Sequence, residues 1–352
     1  MDGPGITRLR FRNEDLREFC TGCLARVGLT PDDGAIVTDH LVTASLRGVD
    51  SHGVVRLPYY VEGIEAGYVS PRPVVRVVRE APTTALLDCG AGLGIIGAKR
   101  AEEIAYKKSL EQGVAVVGAY NIGHVGMLAY YTRSLASRGL IAVAMANSPA
   151  EVVPWGGVSK VFGTNPISYA IPRRNAAPIV ADMATSAVAK FKVVLAAAAG
   201  SRLPEGVAIG RDGRPTTDPH EALNGALLPF GGYKGYAISL MVEVLAAALL
   251  GGTPSLEVKH HPSTQGGFLI IALNPRLMAA EDEFFSRLEK IIGFVKSSER
   301  AKGVDEILLP GEPEERTFLE RLTGGIPIPE PTVKSLMTLG ERMGVKFPQP
   351  AD

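Results

Sequence analysis

The stretch Gly48-Val-Asp-Ser-His-Gly-Val-Val-Arg-Leu-Pro-Tyr-Tyr60 gathers a hydroxyl, an imidazole, a guanidinium and a phenol. Ser51 and His52 are neighbours able to pass a proton. Arg56 stays charged at any working pH, and its planar fork matches a carboxylate. Tyr60 adds a second hydroxyl. The flanking glycines let backbone and ligand approach closely. Such a mixture suits a small anionic substrate better than a solvated loop. A second imidazole has a similar setting, His124 in Asn121-Ile-Gly-His-Val-Gly126. Of the 6 histidines, His220 and His260-His261 lie in polar stretches and read as surface residues. His40 lies in a helical stretch and reads as structural. His52 and His124 are the candidates for acid–base work.

Other segments have the residue types of a ligand cradle. Gly163-Thr-Asn-Pro-Ile follows the glycine-rich Pro154-Trp-Gly-Gly. Asp182-Met-Ala-Thr-Ser186 sets a strand-end carboxylate before two hydroxyls. Gly231-Gly-Tyr-Lys-Gly235 opens an apolar helix, where backbone N–H groups and Lys234 suit a phosphate. Helix capping is the plain alternative for each of these. Gly92-Leu-Gly-Ile-Ile-Gly97 matches the dinucleotide fingerprint G-x-G-x-x-G. The fingerprint also wants an acidic residue at the end of the next strand to hold a ribose. That strand ends Val117-Gly-Ala-Tyr-Asn-Ile-Gly, without a carboxylate, so a glycine-rich packing turn is the better reading. Cys20 and Cys23 form a C-x-x-C on a helical stretch. No second cysteine pair follows, so they read as helix residues rather than zinc ligands, and no metal site is expected.

A chain of 352 residues allows two domains. Lys+Arg 37 balance Asp+Glu 37, which argues against nucleic-acid and anionic-membrane partners. The first eight residues hold no signal-peptide run. Residues 238–250 are apolar but short and interrupted by Glu243, and read as a buried helix. Three cysteines give no disulfide framework and point to the cytoplasm.

These side chains need elements to position them. Residues 13–47 have the periodicity of two amphipathic helices, with Asn13 capping the first and Pro31-Asp-Asp leading into the second. Residues 48–55 form a loop. Pro58 suits the first turn of a helix ending near Gly67, which sets Arg56 and Tyr60 around its N-terminus. Strands are predicted over 74–79, 83–88, 114–120, 141–146, 166–172, 178–182 and 267–273. Helices are predicted over 98–112, 128–137, 236–250, 276–296 and 332–343. Residues 200–232 should be mostly loop. The order implies an α+β fold, not a strict βαβ alternation. A helical unit from both termini, residues 1–72 with 315–352, carries Ser51, His52 and Arg56. A central α/β unit, residues 73–314, holds a mixed or antiparallel sheet and may be divided again near 120–190.

Taken together, these motifs resemble the type-2 malate/L-lactate dehydrogenase family, which includes ureidoglycolate dehydrogenase, diketogulonate reductase, sulfolactate dehydrogenase and piperideine-2-carboxylate reductase. The resemblance spans nearly the whole chain. It rests on Asp50-Ser-His-Gly with Arg56, Asn-x-x-His124-x-Gly, Gly-Thr-Asn-Pro166, Asp-Met-Ala-Thr-Ser186, Pro-Phe-Gly-Gly-Tyr-Lys-Gly235 and Leu-Pro-Gly-Glu312. It implies a non-Rossmann nicotinamide-binding fold, NADH or NADPH as cofactor, a homodimer, and oxidoreduction at C2 of a 2-hydroxy, 2-oxo or cyclic 2-imino acid. By the same resemblance His124 matches an acid/base residue of some members, and Ser51, His52 and Arg56 match a relay and proton-donor set of others. Tyr60 and Thr164 match substrate contacts. His124, Val125, Gly126, Met127, Leu128, Ser148, Asp182, Met183, Ala184, Tyr233, Lys234 and Gly311 match cofactor contacts. The chain departs from the family at Ala189-Lys-Phe191-Lys192, where many members have glycine before the final lysine and one relay assignment has aspartate at the position of Lys192. Residues 252–266 also look short and irregular.

In the reaction implied, Arg56 grips the carboxylate and His124 or His52, as imidazolium, supplies the proton. A Ser-His hydrolase would need G-x-S-x-G, which is absent. A family member acting as a non-catalytic ligand-binding protein is the remaining alternative.

Overall fold

The structure, a computed structural model, describes residues 7–351. The reading of the extreme N-terminus lies mostly outside them. The chain opens with β1 (Arg8–Phe11), α1 (Asn13–Arg26) and α2 (Pro31–Leu46). Two 3-10 turns, Asp50–His52 and Val54–Arg56, lead into α3 (Leu57–Glu65). The centre runs β2 (Arg76–Ala81), β3 (Thr84–Gly92), α4 (Gly94–Gln112), β4 (Val114–Ile122), α5 (Ala129–Ser137), β5 (Ile141–Asn147), β6 (Ile167–Ile171) and β7 (Ile179–Met183). Then come α6 (Lys190–Ala199), β8 (Ala208–Ile209), α7 (Pro219–Asn224), β9 (Ala226–Leu227), α8 (Tyr233–Ala246), β10 (Gly267–Leu273) and α9 (Glu281–Lys296). The chain closes with α10 (Glu312–Gly324), β11 (Ile326–Pro329) and α11 (Glu330–Met343).

Seven strands form the central sheet in the order β2-β3-β4-β10-β5-β6-β7. Only β3 and β4 run parallel, joined by α4; the other neighbours are antiparallel. The fold is thus a mixed α/β architecture around one mixed sheet. An alanine-rich core, with Leu87, Val117, Tyr131 and Phe268, fills the space between sheet, α4 and α5. A second apolar cluster unites Phe11, Phe19, Leu41, Tyr60, Ile328 and Leu336 from the two ends of the chain with Leu93, Ile95 and Ile96 at the start of α4.

Several expectations need correction. A strand, not a helix, opens and precedes the close of the described chain: β1 pairs β11 with Leu9 opposite Ile328. These four-residue segments are too short to show a period. Asn13 does not cap α1; Arg12 occupies that position without a side-chain bond, and Asn13 Nδ2 turns to Glu14 instead. Thr30 caps α2 through the Asp33 amide, so Pro31 is already helical. Residues 276–296 are not one helix: a 3-10 turn at Pro275–Leu277 precedes α9. The helices α6 and α10 went unread.

The 238–250 stretch also differs from expectation. It starts earlier, at Tyr233, and only a third of Tyr233–Leu250 is buried. Leu240, Met241, Val244 and Leu249 are exposed. Among the described residues it is the one helix with the length and composition of a membrane span. Glu243 in its middle accepts from Asn165 Nδ2 (2.8 Å), the Ser255 amide (2.7 Å) and Ser255 Oγ (2.6 Å).

The fingerprint glycines serve packing. A Cβ on Gly94 would collide with the Gly123 carbonyl, one on Gly97 would press Cys89 Sγ, and one on Gly92 would strike Pro73. Protein fills the space that a phosphate would need. Cys20 and Cys23 face the apolar core of α1.

Candidate active site

The loop between α2 and α3 folds as it does because α2 holds it. Ser45 Oγ accepts the Val54 amide at 3.0 Å, and a side chain on Gly53 would collide with Ser45. Arg321, reaching over from α10, pairs with Asp50 and donates to the Ser45 carbonyl at 2.6 Å. Asp50 is therefore spent on structure. Ser51 Oγ lies 2.9 Å from His52 Nδ1. Arg56 Nε donates to the Ser51 carbonyl at 2.6 Å, which leaves both Nη groups without a partner among the described residues. No carboxylate pairs with Arg56 there.

His124 follows β4 in a turn fixed from several sides. Its amide donates to the Ser263 carbonyl at 2.8 Å. Its Nδ1 lies 2.8 Å from the Tyr60 hydroxyl. Tyr131 donates to the Val125 carbonyl at 2.6 Å, and Asp182 Oδ2 accepts the Ala129 amide at 2.7 Å, capping the start of α5. The His52 and His124 rings stack with centroids 5.5 Å apart. Each ring uses Nδ1 within the protein and keeps Nε2 free of partners among the described residues.

Ser51, His52, Arg56, Tyr60 and His124 thus form one cluster. The rings are enclosed yet partly accessible. Burial, and then the Arg56 charge, push His52 down to about 3 and His124 well below its ordinary value. This departs from the imidazolium expected from sequence: the ligand-free rings are neutral. Burial also raises the Tyr60 phenol, so it keeps its proton.

Val125, Gly126, Met127 and Leu128 are buried in the turn after His124, and the other predicted residues lie elsewhere. Ser148 and Thr164 meet: the Thr164 amide donates to Ser148 Oγ at 3.1 Å, and the hydroxyls are 3.3 Å apart. Among the described residues, no hydrogen bond joins them to the histidine pair. Asp182 and Met183 end β7 and are exposed. The Asp182 carboxyl is nonetheless crowded by protein atoms, which pushes it up to about 6. Gly311 lies against Val180 on the same strand with φ 90°, beside a recess of about 240 Å³ lined by Ile179, Pro310 and Glu312. Tyr233 and Lys234 open α8 after Gly232, whose side is uncapped. Lys234 is exposed and makes no ion pair among the described residues. Phe191 is half-buried and Lys192 exposed at the start of α6.

Sequence reasoning missed the polar scaffold beneath Ser148 and Thr164. Asn165 Oδ1 accepts the Ser148 amide at 3.3 Å, and Glu243 holds Asn165 and Ser255. A carboxylate inside an apolar helix was the available signal; it looked like an interruption, yet buried charges demand partners.

The malate/L-lactate dehydrogenase family pattern matches residues 11–337. The chain is 37% identical over 318 residues to the L-sulfolactate dehydrogenase of Methanocaldococcus jannaschii, covering 89% of this chain and 92% of that one. It is 36% identical to the Δ1-pyrroline-2-carboxylate/Δ1-piperideine-2-carboxylate reductase of Pseudomonas putida, covering 96% and 99%. The solved malate dehydrogenase of Pyrococcus horikoshii superposes with a TM-score of 0.90 at 36% identity, covering 99% and 100%. Motifs, geometry and whole-length similarity agree: the chain belongs to the malate/L-lactate dehydrogenase family and is an NAD(P)-dependent oxidoreductase.

Proposed function

We propose that this enzyme moves hydride to or from C2 of a small 2-oxo acid, 2-hydroxy acid or cyclic 2-imino acid, using NADH or NADPH in a non-Rossmann site. One observation carries the reading: Arg56 is an enclosed guanidinium with no carboxylate partner among the described residues, and its charge acts on two neutral imidazoles. An unpaired buried charge calls for an anion, and a planar carboxylate fits its free Nη groups.

The residues present also fit a dinucleotide. The uncapped start of α8 with free Lys234 suits a pyrophosphate. Open Asp182 and Met183 at the end of β7, with Gly311 beside them, leave room along the same edge. Val125, Gly126, Met127, Leu128, Ala184, Ser148 and Tyr233 complete the proposed cofactor contacts. The nicotinamide, when bound, supplies or takes the hydride.

In this reading Arg56 and Tyr60 hold the substrate, with Thr164 from the sheet side. A neutral imidazole is a base, so His124 or His52 is set to take the proton of a 2-hydroxy acid through its free Nε2. A carboxylate on Arg56 cancels the charge that opposes imidazolium. Burial, the larger cause, stays in place, so a bound 2-oxo acid raises the proton affinity of the same rings without returning them to the ordinary histidine value. Ser51 orients His52, and Tyr60, as donor or acceptor, serves either tautomer of His124.

We further propose a cytoplasmic homodimer in which a second copy covers the exposed apolar faces of α6 and α8; analytical ultracentrifugation tests this. Division into a helical unit, 1–72 with 315–352, and a central unit, 73–314, rests on the apolar cluster that the two chain ends share, onto which Leu93, Ile95 and Ile96 at the start of α4 also pack. Nicotinamide absorbance with a panel of 2-oxo and cyclic imino acids tests the reaction. Oxidation of NADH or NADPH by one of them is expected, and inertness toward all of them overturns the reading.

A further inference from the structure

We propose that His40 is a positioning residue for the two reactive imidazoles: as a neutral acceptor it ties the turn after His124 to the helix that also holds the Ser51–Arg56 loop. This rests on the hydride-transfer reading above. His40 lies on α2, fully buried. Its Nε2 accepts the Met127 amide at 2.9 Å. Gly126, with φ 72°, gives the ring its space, since a Cβ there would collide with the imidazole. Tyr130 packs edge-on at 5.0 Å and Tyr131 stacks at 6.2 Å.

Further along the same helix, Ser45 holds the Val54 amide. One rigid element therefore fixes both loops, residues 124–128 at His40 and residues 50–56 at Ser45. His52 and His124 belong to these two loops, so α2 sets the spacing at which they stack. Accepting at Nε2 requires the tautomer with its proton on Nδ1. Burial keeps the ring neutral by pushing it down to about 4. Nδ1 itself has no hydrogen-bond partner among the described residues. A buried unpaired donor is costly, and an apolar residue of similar size would avoid that cost. What the imidazole offers that leucine does not is the bond to Met127.

The test compares wild type with His40→Gln, which keeps an acceptor near the Nε2 position, and His40→Leu, which fills the volume without one. Three readouts are used: nitrogen-15 NMR of the His40 tautomer in wild type, hydrogen exchange at the Met127 amide, and kcat against cofactor KM. The Nδ1–H tautomer is expected in wild type. His40→Leu should speed exchange at Met127 and lower kcat by about tenfold or more, the scale of a misplaced catalytic group. His40→Gln should stay within about threefold of wild type on both. If His40→Leu does not fold, His40→Asn, whose oxygen falls short of Met127, replaces it. An Nε2–H or charged His40, unchanged Met127 exchange in the leucine or asparagine variant, or equal loss in glutamine and leucine variants overturns the proposal. Tautomer and exchange need no cofactor, so they fail separately from the proposed reaction.

Discussion

The rings of His52 and His124 stack 5.5 Å apart with their planes inclined by 18°, although 71 residues separate them in the chain. Each has its Nδ1 committed, His52 to Ser51 and His124 to Tyr60. The pairing leaves two Nε2 atoms without partners among the described residues, on rings that both feel the Arg56 charge.

The first prediction separates the rings. His124→Ala should lower kcat by at least about a hundredfold, the usual scale of lost acid–base catalysis. Steady-state kinetics of both alanine variants check this; a large loss confined to His52→Ala would make His52 the proton carrier.

Arg56→Lys keeps the charge but loses the planar fork. Its KM for the acid substrate should rise about tenfold or more while kcat changes less, as for the loss of a bidentate bond. An unchanged KM removes Arg56 from carboxylate binding.

The candidate-site loops were legible because their chemistry is written locally. Ser51, His52 and Arg56 share a short loop, and His124 sits between glycines. The helices α1 to α3 and most central strands carry clear periods. What sequence could not show was contact at long range: Tyr60 meeting His124, Arg321 holding Asp50, and β1 meeting β11. Glu243 was missed because an apolar helix with one carboxylate reads the same whether that carboxylate is solvated or caged. The open apolar face of α8 was missed because hydrophobicity reports what favours burial, not where the helix sits.

Glu243 is the next test. It accepts bonds from Asn165 and Ser255, and Asn165 holds the Ser148 amide. Glu243→Leu should destabilise the protein by about 3 kcal/mol or more, since it strands buried donors. Thermal or urea unfolding measures this. A stability equal to wild type would mean that the cage is wet and the network unimportant.

His40 gives a signed pH dependence. Its folded pKa lies near 4, below the ordinary value of an unfolded histidine, so the unfolded chain binds the extra proton. Relative to His40→Gln, wild type should keep its full stability above pH ~6.5 and lose it progressively down to pH ~4, where the difference levels off. Urea unfolding of both proteins across this range checks the sign. A wild-type advantage that grows on acidification would contradict a buried neutral ring.

The central claim is that a substrate carboxylate completes the charge of Arg56 between two imidazoles. The most direct measurement is nicotinamide oxidation with a reactive 2-oxo acid and with its neutral amide, at equal concentrations. The acid should turn over and the amide should be poorer by about a hundredfold or more in kcat/KM, the cost of leaving a desolvated charge unpaired. An amide reduced as well as the acid would contradict the account.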